Sequence, residues 1–122
     1  PLNIAELGLK HGASFYGLVS AHGAKSSSFS FYLKMKGELE QKLKALDYPH
    51  LAIAQPSLLK GDRKENRPAE RLSEGFMSLL PGNLKAIEAI DVAAALILDA
   101  NKLTKTTAKL SSAKMQGASE KL

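Results

Sequence analysis

The stretch from residue 14 to residue 56, SFYGLVSAHGAKSSSFSFYLKMKGELEQKLKALDYPHLAIAQP, decides the fold. It opens on a short, mostly apolar run, 14–20, of the kind expected for a strand buried on both faces. A loop rich in Gly and Ser follows. From about residue 29 to 46 Met35, Leu39, Leu43 and Leu46 recur at helical spacing. Glu38 with Lys42 and Glu40 with Lys44 are opposite charges four apart with the acid first, the better orientation on a helix surface. Residues 50–56, HLAIAQP, are apolar again and stop at Pro56, as a buried strand would.

The same alternation extends in both directions. Residues 2–11 read as a helix with Ile4, Leu7 and Leu9 apolar and Gly12 as the stop signal. Beyond Pro56 the spacing predicts a long polar loop, a helix over 69–79 ended by Pro81 and Gly82, and a short strand within 84–90. Asp91 is expected to cap a helix running to about 101. Residues 106–111 read as a last strand and 112–122 as a final short helix. Helices alternating with strands indicate an α/β fold with a parallel sheet.

Composition narrows the function classes. The chain has 122 residues, 44% apolar and 24% charged, as expected for one globular domain. Its longest apolar run, VAAALIL at 92–98, is too short to span a bilayer. The absence of cysteine excludes a disulfide scaffold, a thiolate nucleophile and a cysteine zinc site. With no basic and hydrophobic leader in view, the expected compartment is the cytoplasm. The net charge of +5 is spread without a run of five or six basic residues, which favours a solvated basic surface over a nucleic-acid site. The chain starts at Pro1 on what reads as a helix already under way, so it is expected to be part of a longer protein.

Four groups of residues could carry chemistry. Tyr32 and Lys36 lie four apart, so a helix sets them on one face. A phenol titrates near pH 10, and a neighbouring ammonium favours the phenolate and brings that value toward the working range. A Tyr-x-x-x-Lys pair therefore suits proton transfer to and from a carbonyl oxygen, although taken alone it is a weak motif. Ser20 ends the first strand, and ligands of parallel α/β sheets sit at the carboxyl ends of strands. A serine there also commonly does no more than satisfy a loop amide. His11, His22 and His50 are single and widely spaced, which argues against a metal site. The loop from Pro56 to Pro68 carries Lys60, Asp62, Arg63, Lys64, Glu65 and Arg67 straight after a strand, where Arg63 or Arg67 would suit a phosphate. No G-x-G-x-x-G and no Walker sequence is present.

The order of these features resembles the atypical short-chain dehydrogenase/reductases, specifically the oxidoreductase family of human Tat-interacting protein and its bacterial relatives. The likeness runs from about residue 2 to 100. It rests on a serine, Tyr-x-x-x-Lys-Gly-Glu, a strand, a proline, and then Asp62, Arg63, Glu65, Arg67, Pro68 and Glu70. The resemblance implies a Rossmann-type domain that binds NADP, with NAD the alternative, and transfers a hydride to or from a small carbonyl or alcohol. Tyr32 falls on the proton donor, Lys36 on the residue that holds the nicotinamide ribose, and Ser20 on the catalytic serine. Pro56 to Leu59 would pass the nicotinamide, with Leu59 and Arg67 as further cofactor contacts.

The chain departs from the family in three places. Ser20 and Ala21 stand where the family has paired serines, and Gln55 stands where it has an arginine before the proline. The glycine-rich loop and first strands are not in the sequence, so residues 1–122 read as the C-terminal part of one NAD(P)-binding domain. The expected partner is a small-molecule carbonyl substrate, with room for protein partners or a homo-oligomer and none for a membrane. The rival reading is a non-catalytic dinucleotide sensor that acts on protein partners. A third is a basic module whose Lys102, Lys105, Lys109, Lys114 and Lys121 meet acidic partners.

Overall fold

The structure is a computed structural model and describes residues 1–60, 86–102 and 105–122. Three parallel strands form its frame: β1 (Phe15–Val19), β2 (His50–Gln55) and β5 (Thr106–Ser111), in the order β1-β2-β5. Phe15 is paired with His50 and Val19 with Ala54, while His50 is opposite Thr106 and Gln55 opposite Ser111. All three strands therefore end together, and their carboxyl ends carry Ser20, Pro56 and Ser112. A second, smaller parallel pair joins β3 (Leu59–Lys60) to β4 (Ile87–Glu88).

β2 is the centre of the sheet, and Leu51, Ala52, Ile53 and Ala54 are all buried. The strand's two-residue period sends them to two different cores. Leu51 and Ile53 join Ala5, Leu18, Leu43 and Tyr48 under α1 (Leu2–Lys10) and α2 (Phe31–Ala45). Ala54 joins Ile87, Val92, Ala94, Ala95, Met115 and Ala118 under α3 (Ala89–Ala100) and α4 (Ser112–Met115). Helices thus cover both sheet faces, the arrangement that parallel strands require. This is a mixed α/β fold with an open three-stranded parallel sheet, as one half of a Rossmann-type domain would present.

Several expectations are corrected. β1 lies at the sheet edge and buries only Leu18, so it is not covered on both faces. In α1 the inner face is Leu2, Ala5 and Leu9, whereas Ile4 and Leu7 face outward. Tyr48 fixes that choice, because its hydroxyl donates to the Ala5 carbonyl. The strand expected within 84–90 is only Ile87–Glu88, and the following helix begins at Ala89, two residues before Asp91. Asp91 is therefore not a cap. It lies buried in the first turn, and its Oδ1 accepts from the Ser119 amide at 2.9 Å and the Ser119 hydroxyl at 2.6 Å. The final segment divides into α4 and a short 3-10 turn, Ala118–Lys121, broken by Gly117 at φ 70°. The helix expected over 69–79 and the turn at Pro81 lie outside the described residues.

At the amino end of the sheet His50 Nε2 lies 2.7 Å from Asp99 Oδ2 at the end of α3, and Lys102 Nζ lies 3.1 Å from Asp99 Oδ1. Phe15 meets the His50 ring edge-on. This joint ties β2 to α3 at the end of the sheet opposite Ser20. Among the described residues no group of three or more His, Asp or Glu could hold a metal, and no helix is long and apolar enough to cross a membrane.

Candidate active site

α2 places the two residues that the sequence pairs. Its N-cap is Ser30, whose hydroxyl accepts from the Leu33 amide at 3.4 Å, so the first turn is fixed directly behind Tyr32. Tyr32 is 53% exposed, and Lys36, one turn on, sets its Nζ 5.5 Å from the centre of the Tyr32 ring. That separation lies within cation–π reach. Phe29, Phe31 and Met35 are also exposed around this first turn, so the pair sits in an apolar surround that is open to solvent.

One more turn down the helix is Glu40. Tyr32, Lys36 and Glu40 are spaced four apart and form one stripe that descends from the open first turn to a carboxylate only 3% exposed. Glu40 Oε1 accepts from the Ser20 hydroxyl at 2.6 Å and from Gln55 Nε2 at 2.8 Å. The carboxyl ends of β1 and β2 and the inner face of α2 therefore meet on one oxygen. Ser20 itself is buried, and its amide extends the ladder to the Ala54 carbonyl at 2.7 Å.

The sequence reading missed Glu40. Its spacing suggests a solvated pair with Lys44, but no ion pair joins the two among the described residues. The signal was Gly37. A Cβ there would lie 2.3 Å from the Lys25 carbonyl carbon and 2.5 Å from the Ser26 amide, so only glycine lets the β1–α2 loop lie directly on the helix. That contact closes the loop over the face that carries Glu40. The Lys25 amide donates to the Leu33 carbonyl at 3.2 Å and Gln41 Nε2 to Ser26 Oγ at 3.1 Å, which hold the loop down. Between loop, helix and β5 remains a cavity of about 160 Å³ lined by Glu40, Gln41, Lys25, Lys44 and Lys109 among others.

The remaining predicted residues lie as follows. Pro56 is buried at the end of β2, and its carbonyl accepts from the His22 amide at 3.0 Å, which ties the loop after β1 to the loop after β2. Leu59 is half exposed on β3. Arg67 and the rest of the charged loop beyond Lys60, which falls in β3, lie outside the described residues. No hydrogen bond joins Ser20 to Tyr32 or Lys36 among the described residues; what the structure brings together is Tyr32 with Lys36, and Ser20 with Glu40 and Gln55.

No protein-family model matches the chain. Among curated proteins it is 37% identical over 91 residues to HTATIP2 of Rattus norvegicus, a match that covers 75% of this chain and 38% of that protein. It is 41% identical over 69 residues to the mitochondrial protein fmp52 of Aspergillus niger, covering 57% of this chain and 30% of that one. With fmp52 of Aspergillus fumigatus the identity is 44% over 59 residues, 48% of this chain and 25% of the relative. The chain thus spans no more than about two fifths of the length of these curated relatives.

Proposed function

Since the chain belongs with the HTATIP2 and fmp52 proteins among the atypical short-chain dehydrogenase/reductases, we propose that it is the C-terminal part of an NADP(H)-dependent oxidoreductase acting on a small carbonyl or alcohol. The observation that carries this reading is Tyr32 and Lys36 side by side at the open start of α2. A phenol and an ammonium form a donor set that fits ribose hydroxyls and a carbonyl oxygen. It fits the nicotinamide end of the dinucleotide only. The pyrophosphate calls for a glycine-rich turn at a helix N-terminus, and this sequence has no such motif.

When bound, the dinucleotide supplies or accepts the hydride. The chain's own residues handle the proton and the orientation. Tyr32 gives its phenolic proton to the substrate oxygen during reduction and takes it back during oxidation. Lys36, whose Nζ lies 5.5 Å from the Tyr32 ring centre, holds the ribose. Ser20 meets the substrate oxygen from the sheet side. Pro56 and Leu59 would flank the nicotinamide. The exposed Phe29, Phe31 and Met35 suit a substrate with an apolar body.

One observation favours a second reading, a dinucleotide sensor with protein partners. The single hydroxyl proton of Ser20 is directed at Glu40, and Ala21 offers no other, so a carbonyl at this site finds fewer donors. We expect the protein in the cytoplasm. The fmp52 relatives are mitochondrial by name, and imaging a fluorescent fusion of the full-length protein decides between the two compartments.

Calorimetric titration tests the reading. The full-length protein should bind NADPH at micromolar concentrations, while residues 1–122 alone should bind no tighter than about millimolar, roughly 4 kcal/mol. Micromolar binding by the isolated chain would show that the phosphates are held without a glycine-rich turn. No binding by the full-length protein would overturn the dinucleotide reading.

A further inference from the structure

Glu40 is a buried carboxylate, and the chemistry assigned to Tyr32 and Lys36 does not use it. Its Oε1 accepts from the Ser20 hydroxyl at 2.6 Å and from Gln55 Nε2 at 2.8 Å, and Lys25, Lys44 and Lys109 line the cavity beside it. These are the surroundings of an ionised carboxylate, which accepts hydrogen bonds and donates none. The proton between Ser20 and Glu40 is therefore the serine's own. Serine has one proton and two lone pairs, so Ser20 Oγ is left able to accept and has nothing more to donate. Among the described residues no group donates to that oxygen, although Ser20 is only 5% exposed. Against a carbonyl oxygen it is acceptor facing acceptor; against a hydroxyl it completes a hydrogen bond.

We propose that Glu40 is a positioning residue that fixes Ser20 as an acceptor, and that the site therefore selects carbonyl substrates with a hydroxyl on the neighbouring carbon. The assignment rests on the reading of the protein as a carbonyl reductase or alcohol dehydrogenase, and names the substrate class of that same site. The carbonyl oxygen takes its proton from Tyr32, and the neighbouring hydroxyl donates to Ser20 Oγ. An α-hydroxy ketone or aldehyde is thus reduced to a vicinal diol, with the hydride from the dinucleotide and the proton from the phenol. In the reverse direction one hydroxyl of the diol gives its proton to the Tyr32 phenolate while the other stays bound to Ser20. Lys36 beside Tyr32 and the three lysines around the cavity make a neutral hydroxyl a better occupant than an ammonium. Gln55 holds the carboxylate from the second strand, so Ser20 has a fixed oxygen to point at.

The test uses the full-length protein with NADPH and two ketones of similar carbonyl polarisation, α-hydroxyacetophenone and its methyl ether, α-methoxyacetophenone. Only the first has a proton to donate. Wild type should reduce it with kcat/KM at least about tenfold above the ether. Ser20→Ala removes the acceptor and should abolish the preference with the Kd for NADPH unchanged. Glu40→Leu frees the serine proton to turn toward the substrate and should abolish it too. Glu40→Gln should retain it, because Gln55 Nε2 draws the amide oxygen to the place of Oε1 and the serine proton stays held. Urea unfolding supplies a readout without turnover: Ser20→Ala and Glu40→Leu should be non-additive, the double variant losing less stability than the two single losses together. A preference that survives Ser20→Ala or Glu40→Leu, or is lost in Glu40→Gln, overturns the assignment, as does a wild type that reduces both ketones alike. These results leave the enzyme reading standing. A protein that binds NADPH and reduces neither ketone, nor any of a panel of aldehydes, ketones and quinones, overturns the enzyme reading and this assignment with it.

Discussion

Tyr32 and Lys36 were legible in the sequence because a four-residue spacing on a helix fixes a shared face whatever else the chain does. Glu40 was not legible, although it obeys the same spacing. On an isolated helix a glutamate four residues before a lysine belongs to solvent, and only the loop laid across Gly37 encloses this one. The exposure of Tyr32 and the burial of Ser20 likewise depend on where the loop travels between them, which local pattern does not encode. The pair makes its own prediction. Lys36→Ala in the full-length protein removes a ribose contact and the ammonium that packs on the Tyr32 ring, so NADPH affinity and kcat should fall together. Titration and steady-state rates check this, and a fall in kcat with affinity unchanged would sink the ribose assignment.

At the scale of elements, α2 is held by an exchange between helix propensity and fit. Alanine is a better helix former than glycine by about 1 kcal/mol, so Gly37→Ala would stabilise an unobstructed helix. Here the added methyl would lie 2.3 Å from loop backbone, and forcing such a contact costs about 1–3 kcal/mol. The second effect should win, and the urea midpoint should fall; a midpoint at or above wild type would show that the loop is not seated as described. The spacing revealed α2, β2 and β5 almost to the residue, because α2 carries apolar residues at helical spacing and β2 is an apolar run stopped by Pro56. It misassigned Asp91 because a cap and a first-turn acceptor look alike in sequence; its true partner, Ser119, is 28 residues away. The Ser119 hydroxyl, then its amide, holds the Asp91 carboxyl below the usual range. A lowered carboxyl pKa adds stability above the unfolded value of about 4, and that stability is lost as pH falls through the folded value. The stability gap between wild type and Asp91→Asn should therefore be widest near neutrality and close in acid, as urea unfolding across pH would report. A gap constant with pH would contradict the linkage.

For the whole molecule, the parallel sheet with helices on both faces was readable from the alternation of apolar runs and amphipathic stretches. The edge position of β1 was not, since an apolar strand reads the same at a sheet's centre and at its rim. On the proposed reading, β1 is where the strands of the dinucleotide half continue the sheet, and the half-covered face of β1 and the exposed Ile4 and Leu7 of α1 are surfaces available to that half. The sheet's carboxyl end then collects the described residues assigned a role: Tyr32 and Lys36 above it, Ser20 within it beside Glu40 and Gln55, Pro56 and Leu59 beside it. The most direct test of this account compares NADPH oxidation by the full-length protein and by Tyr32→Phe, with a panel of aldehydes, ketones and quinones at saturating cofactor. The variant keeps the ring and loses the acid, so the account predicts unchanged NADPH affinity and a chemical step slower by about a hundredfold or more. A Tyr32→Phe protein that matches the wild-type rate would contradict it.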